Sequence, residues 1–181
     1  MHILGLSGSL RKNSFNTAAL NACQALLPPG VSLSCFDIAS VPLYNEDVRE
    51  QGFPPSVQAL REQIAAADAL LICSPEYNYS IPGVLKNAID WASRPPAQPF
   101  DGKPIALMGA SPGALGTARA QYHLRQVCVY LNLHPLNRPE VFGNAFTNSF
   151  DADGNVVDAK IQENITTQLA ALVSWTQQLQ K

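Results

Sequence analysis

Short apolar runs and helical periods take turns along this chain, five times over, and that order leaves few folds open. Residues 3–6 read as a short apolar strand. A helix over 15–27 follows, closed by Pro28-Pro29-Gly30. In residues 31–36, Val31, Leu33 and Cys35 alternate with Ser32 and Ser34, as in a strand near a sheet edge. A loop over 37–55 leads to a helix with Ser56 as N-cap and Val57, Leu60, Ile64 and Ala67 on one face. Residues 69–73 are continuously apolar, the mark of a strand buried on both sides. Pro82-Gly83 opens the next helix, and Arg94-Pro95-Pro96 stops it. Residues 104–108 are a fourth strand and 115–131 a helix. Residues 134–142 are extended, with Pro135 and Pro139 suited to an edge. Asp153-Gly154 marks a hairpin turn, and 158–180 form the last helix with Ile161, Ile165, Leu169 and Leu172 inward. Strand–helix units in this order build an α/β open parallel sheet with helices on both faces, here as a single domain over 1–181.

Such a sheet binds ligands beyond the C-terminal ends of its strands. The loops there are residues 7–14, 74–80 and 110–116, all rich in Ser, Gly, Pro and Asn. The first joins a strand to a helix N-terminus, where backbone N–H groups favour an anion. Ser9, Ser14, Asn16 and Thr17 add neutral donors and Arg11 a forked one, so a phosphate is the natural guest. The spacing matches neither a P-loop nor the dinucleotide fingerprint, and a Ser-rich loop with few obligatory glycines suits a terminal phosphomonoester better than a pyrophosphate. Gly5-Leu6-Ser7-Gly8-Ser9 nearly matches a hydrolase nucleophile elbow but fails at its last glycine. The second loop, stiffened by Pro75 and Pro82, sets Tyr77, Asn78 and Tyr79 at a cleft mouth and suits a flat ring with polar edges. Ser111 and Gly113 in the third allow close approach to such a ring.

Composition narrows the partners. The chain is 46% hydrophobic and 14% charged, which excludes disorder. The shortage of charge means that neutral polar groups, a ligand or a partner subunit must cover the surface. A net charge of −2 gives no basic footprint for nucleic acid and no acidic docking face for an electron carrier. No apolar run approaches the roughly 20 residues of a membrane span, and the N-terminus has no basic export segment. Cys23, Cys35, Cys73 and Cys128 form no Cys-x-x-Cys; they read as reduced core residues of a cytoplasmic protein, with no metal site.

Four segments together are more specific: Gly-Ser-Leu-Arg-Lys-x-Ser-Phe-Asn over 8–16, Pro-Glu-Tyr-Asn-Tyr-Ser over 75–80, Leu-Lys-Asn-Ala-Ile-Asp-Trp over 85–91 and Gln-Tyr-His-Leu-Arg-Gln over 121–126. In this order they resemble the NADPH-dependent FMN reductase family, which includes bacterial quinone, azo and chromate reductases. The resemblance implies a flavodoxin-like three-layer α/β/α sandwich with a five-stranded parallel sheet of order 2-1-3-4-5. It implies bound FMN, with NADPH or NADH as donor and quinones, azo compounds, chromate or free flavin as acceptors. Ser9, Arg11, Ser14, Phe15 and Asn16 would hold the phosphate end. Pro75, Glu76, Tyr77, Asn78, Ser111 and Gly113 would hold the ring. No side chain is an obligatory catalyst, because the flavin takes and gives the hydride. Pro112 departs from the family pattern in the third loop. Family members are homodimers or homotetramers, and Arg119 or Arg125 is a candidate interface residue opposite Glu140.

Overall fold

The computed structural model describes residues 1–144, 149–151 and 155–180. Its elements in chain order are β1 (His2–Ser7), α1 (Phe15–Ala22), β2 (Ser32–Phe36), α2 (Glu46–Glu50), α3 (Pro55–Ala66), β3 (Ala69–Cys73), α4 (Gly83–Ala92), β4 (Pro104–Ser111), α5 (Ala118–Tyr130), β5 (His134–Pro135), β6 (Val141–Asn144) and α6 (Ala159–Leu179). The sheet is parallel, in the order β2-β1-β3-β4-β5, and β6 also pairs with β4. β5 and β6 are two pieces of one edge. His134 and Pro135 pair with the start of β4, Val141 to Asn144 with its end. Between them Pro139 has no N–H for the ladder. The flavodoxin-like order implied by the sequence is the one observed.

Strand periodicity divides the core. Leu4, Leu6, Leu70, Ile72, Ile105 and Leu107 point to one face and pack with α3, α4 and α5 residues such as Leu60, Leu85 and Leu124. Ile3, Ala69, Leu71, Cys73, Ala106 and Met108 point to the other, against Ala19 and Leu20 of α1 and Ile165, Leu169 and Leu172 of α6. β2 is the edge that its serines suggested, and Cys35 on it is exposed rather than a core residue.

Several boundaries differ from the sequence reading. α3 begins with Pro55 at its first turn, so Ser56 is not the cap; its hydroxyl donates instead to Ser40 O, 2.9 Å away. The segment before it is not bare loop: Asp37 caps a 3-10 turn over Ile38–Ser40 and Asn45 caps α2. α5 starts at Ala118, because Gly116, at φ 56°, closes a turn onto Gly113 O. β4 runs on through Ser111, since β6 pairs with its last residues. The Asp153-Gly154 turn lies outside the described residues, although Phe150 and Val156 on either side form an antiparallel bridge.

Two features fix the ends of the layers. At the C-terminal edge of the sheet, a Cβ on Gly8 would lie 2.4 Å from Ser74 Oγ, and one on Gly109 2.2 Å from Ser74 O. Only glycine lets β1, β3 and β4 converge so closely there. At the opposite edge, buried Arg61 of α3 donates to four carbonyls, Ala92 O (2.5 Å), Arg94 O (2.7 Å), Pro96 O (2.5 Å) and Ala97 O (3.1 Å). Its guanidinium also lies 4.1 Å from the Phe53 ring centroid. One forked cation thus closes the C-terminus of α4 and the turn after it.

Candidate functional site

The three loops emerge together where β1, β3 and β4 end. Gly8 N–H donates to Cys73 O (2.8 Å) and Ser74 N–H to Met108 O (3.0 Å), which laces the strand ends together. In the first loop, Ser14 is the N-cap of α1, accepting from the N–H groups of Asn16 (3.2 Å) and Thr17 (3.4 Å). Ser9 Oγ accepts from Arg11 N–H (3.3 Å). Arg11 is exposed, donates to Asn13 O and lies 5.3 Å from the Phe15 ring centroid. Phe15 in turn packs on Phe150, ring centroids 4.7 Å apart. Asn16 is buried, and its amide is engaged with the Ala110 backbone.

The second loop is a tight two-residue hairpin. Tyr77 and Ser80 exchange backbone hydrogen bonds of 3.0 and 2.9 Å, with Asn78 (φ 51°) and Tyr79 (φ 64°) both left-handed. A tyrosine there costs on the order of 1 kcal/mol of backbone energy. The Arg119 guanidinium carbon, 3.6 Å from the Tyr79 ring centroid, helps to offset that cost. Glu76 turns away from the hairpin toward α5. Its carboxylate accepts from the N–H groups of Arg119 (3.0 Å) and Ala120 (3.1 Å) and sits 3.5 Å from Arg119 Nη1. Thr117, the formal N-cap of α5, makes no side-chain cap bond, so Glu76 caps the helix from a distance.

Between the second and third loops lies a cleft of about 460 Å³, lined by Glu76, Asn78, Tyr79, Ser111, the segment from Gly113 to Gly116, and Arg119. Its size is that of an ordinary small-ligand site. The structure brings four expected ring contacts together here: Glu76, Asn78, Ser111 and Gly113. Tyr77 is half exposed and Pro75 is buried; neither lines this cleft. Arg11, Ser14 and Phe15 border a separate hollow beside α1, and Ser9 with Arg11 borders another toward β2. Neutral hydroxyls, amides and one flanking arginine fit a phosphomonoester; a cleft floored by Ser111 fits a flat ring. The donor set therefore suits FMN.

Tyr79, expected at the cleft mouth, lines the cleft, and so does Arg119, which the sequence suggested for an interface instead. The signal was present: Arg119 follows the third loop by one helical turn, and the first turn of such a helix faces the strand ends. Other expectations change. Within the chain Arg119 pairs with Glu76, and Arg125 donates to Leu136 O (2.9 Å) and Asn137 Oδ1 (3.2 Å), clasping the connection between β5 and β6. The hydrolase alternative has no geometry. Ser7 Oγ is 2.8 Å from Thr17 Oγ1, His123 pairs with Ser80, His2 with Ser34, and His134 sits on β5.

Residues 1–148 match the model of the NADPH-dependent FMN reductase family. The chain belongs to that family. Membership makes it an oxidoreductase that works with FMN and a reduced nicotinamide donor. It is 60% identical over 177 residues to an NAD(P)H-dependent FMN reductase of Pseudomonas aeruginosa, covering 98% of this chain and 96% of the relative. It is 44% identical over 182 residues to a quinone reductase of Escherichia coli K12, covering 99% and 97%. Among solved structures, the flavoenzyme NAD(P)H:(acceptor) oxidoreductase FerB of Paracoccus denitrificans superposes with a TM-score of 0.88 at 35% identity, covering 98% and 97% of the two chains. No helix among the described residues is long and apolar enough to cross a membrane.

Proposed function

We propose that this FMN reductase passes two electrons from NAD(P)H to small flat acceptors at the cleft between the second and third loops, with quinones as the foremost class. Azo compounds, chromate and free flavin are further candidate acceptors. The observation that carries the reading is the cleft itself: about 460 Å³, bounded by Asn78, Tyr79 and Ser111, and set at the strand ends. The quinone preference is supported by the name of the Escherichia coli relative. When bound, FMN supplies the two-electron chemistry. Ser9, Arg11, Ser14 and the amides at the start of α1 hold its phosphate, with Phe15 shielding one side. Asn78, Ser111 and Gly113 meet the ring, while Pro75, Glu76 and Tyr77 stiffen the loop that carries Asn78. No residue is asked to act as an obligatory acid or base.

The reading extends to assembly and place. Val129 and Tyr130 on α5 are 81% and 82% exposed beside a groove of about 650 Å³ between α4 and α5, and a second copy of the chain, as homodimer or homotetramer, would cover them. Four unpaired thiols on the single domain 1–181 suit the reducing cytoplasm.

The test is spectroscopic. The purified protein is expected to be yellow, to bleach with NADPH in the absence of oxygen and to regain its colour with a benzoquinone. A colourless protein that takes up no added FMN refutes the reading. Flavin that binds but is not reduced by NADPH or NADH would mark a carrier or sensor instead. Sedimentation that gives a monomer at micromolar concentration refutes the assembly.

A further inference from the structure

Asn16 occupies the last position of the motif that resembles a phosphate loop, yet its side chain points inward. It is 3% exposed. Its Oδ1 accepts from Ala110 N–H at 2.8 Å and its Nδ2 donates to Ala110 O at 2.9 Å. Cys73 Sγ lies 3.7 Å from the same Oδ1. The reason lies in the sheet. β3 pairs with β4 only as far as Cys73 and Met108, and then turns off into the second loop. Beyond that point β4 continues through Ala110 and Ser111, held on its far edge by Gly143 and Asn144 of β6. On the near edge Ala110 would be left with an unpaired donor and acceptor in a buried place. The Asn16 carboxamide supplies the missing rung, offering one acceptor and one donor as a strand would.

We infer that Asn16 is a positioning residue for the ring side of the flavin site, not a phosphate ligand: its side chain pins Ala110, and with it Ser111, to the first turn of α1. Both amide groups are spent on Ala110. The residue therefore ties the phosphate-binding helix to the backbone beneath the ring cleft, so the two ends of the cofactor are read by parts that move as one. This rests on the FMN reading proposed above, and the experiment separates the two.

Apoprotein is titrated with FMN and with riboflavin, which carries the same ring without the phosphate. The variants are Arg11→Ala, Asn16→Asp and the milder Asn16→Ser, which keeps a hydroxyl. Arg11→Ala is expected to weaken FMN by about 10- to 100-fold, the worth of a charged phosphate contact, and to leave riboflavin within about twofold. The Asn16 variants are expected to weaken both flavins by the same factor, on the order of tenfold, and to shift the visible absorption band of the bound flavin. Hydrogen exchange on the wild-type apoprotein is expected to show a protected Ala110 amide before any flavin is added. An Asn16 variant that loses FMN affinity while holding riboflavin, or that loses neither, overturns the inference. So does rapid exchange at Ala110. Wild-type protein that binds neither flavin refutes the FMN reading, whatever the Ala110 amide shows.

Discussion

Removal of the Glu76 carboxylate tests how the ring cleft is built. Its side chain is 8% exposed and accepts two backbone N–H bonds, at 3.0 and 3.1 Å, from the first turn of α5. Glu76→Ala strands both donors and removes an anion from a helix N-terminus. Loss of a helix cap costs about 1–2 kcal/mol, and a buried donor left without a partner costs about 1–3 kcal/mol. Water can reach part of the cleft, so the two costs do not simply add. A total of about 2–4 kcal/mol is expected. Glu76→Gln keeps one acceptor oxygen and the shape but loses the charge, so about 1–2 kcal/mol is expected. Equilibrium urea unfolding of apoprotein measures both, with the slope checked for constancy. Glu76→Ala within about 0.5 kcal/mol of wild type would refute the capping argument. Equal losses in the two variants would refute the share given to charge.

Three further expectations concern the frame and the thiols. Arg61→Ala should cost about 3 kcal/mol by stranding four carbonyls, and Arg61→Lys should recover less than half, because an ammonium cannot fork; urea unfolding of the two reads the difference. Gly109→Ala drives a methyl to 2.2 Å from Ser74 O, at a cost of about 2 kcal/mol or more, whereas Gly83→Ala meets nothing within 4 Å and should be neutral or slightly stabilising in thermal melts. Burial pushes the Cys23 thiol up to about 12 and Cys128 to about 11 and raises Cys73 and Cys35 as well, but of the four only Cys35 is exposed to a reagent. An aromatic disulfide reagent at pH 8 should therefore titrate one thiol in the native protein and four after denaturation. The folded state holds protons that the unfolded chain releases above its ordinary thiol value of 9.0, so this contribution to stability is full below pH 9 and fades as pH rises toward 11 and 12.

The fold was legible because strand period and helix period are local: Ile3 through Leu6 and Ala69 through Cys73 are apolar for reasons that their neighbours do not change. The loops were legible for the same reason, being small and polar after each strand. Long-range pairings were not. Nothing near Glu76 in the sequence says that its carboxylate caps a helix 43 residues away. Nothing near Asn16 says that it completes a strand edge 94 residues on. α2 was missed because five residues give too little period to detect. Ser56 resembles a cap because the preceding Pro55, itself a good first helical residue, has the composition of the loop before it.

The proline-rich turn after α4 looks like an inviting place to open the chain. It lies at the sheet edge opposite the cleft, where new termini, a tag or an inserted domain would leave the site alone. The Arg61 fork argues against it. Its four bonds join α3, the end of α4 and residues 94–97 into one cooperative unit. A cut there would give a cation without carbonyls and a helix without its end, so circular permutants opened in this turn should be the ones that fail. The better place for an engineered break is the exposed turn at Pro29-Gly30, before β2, where a Cβ on Gly30 would meet nothing.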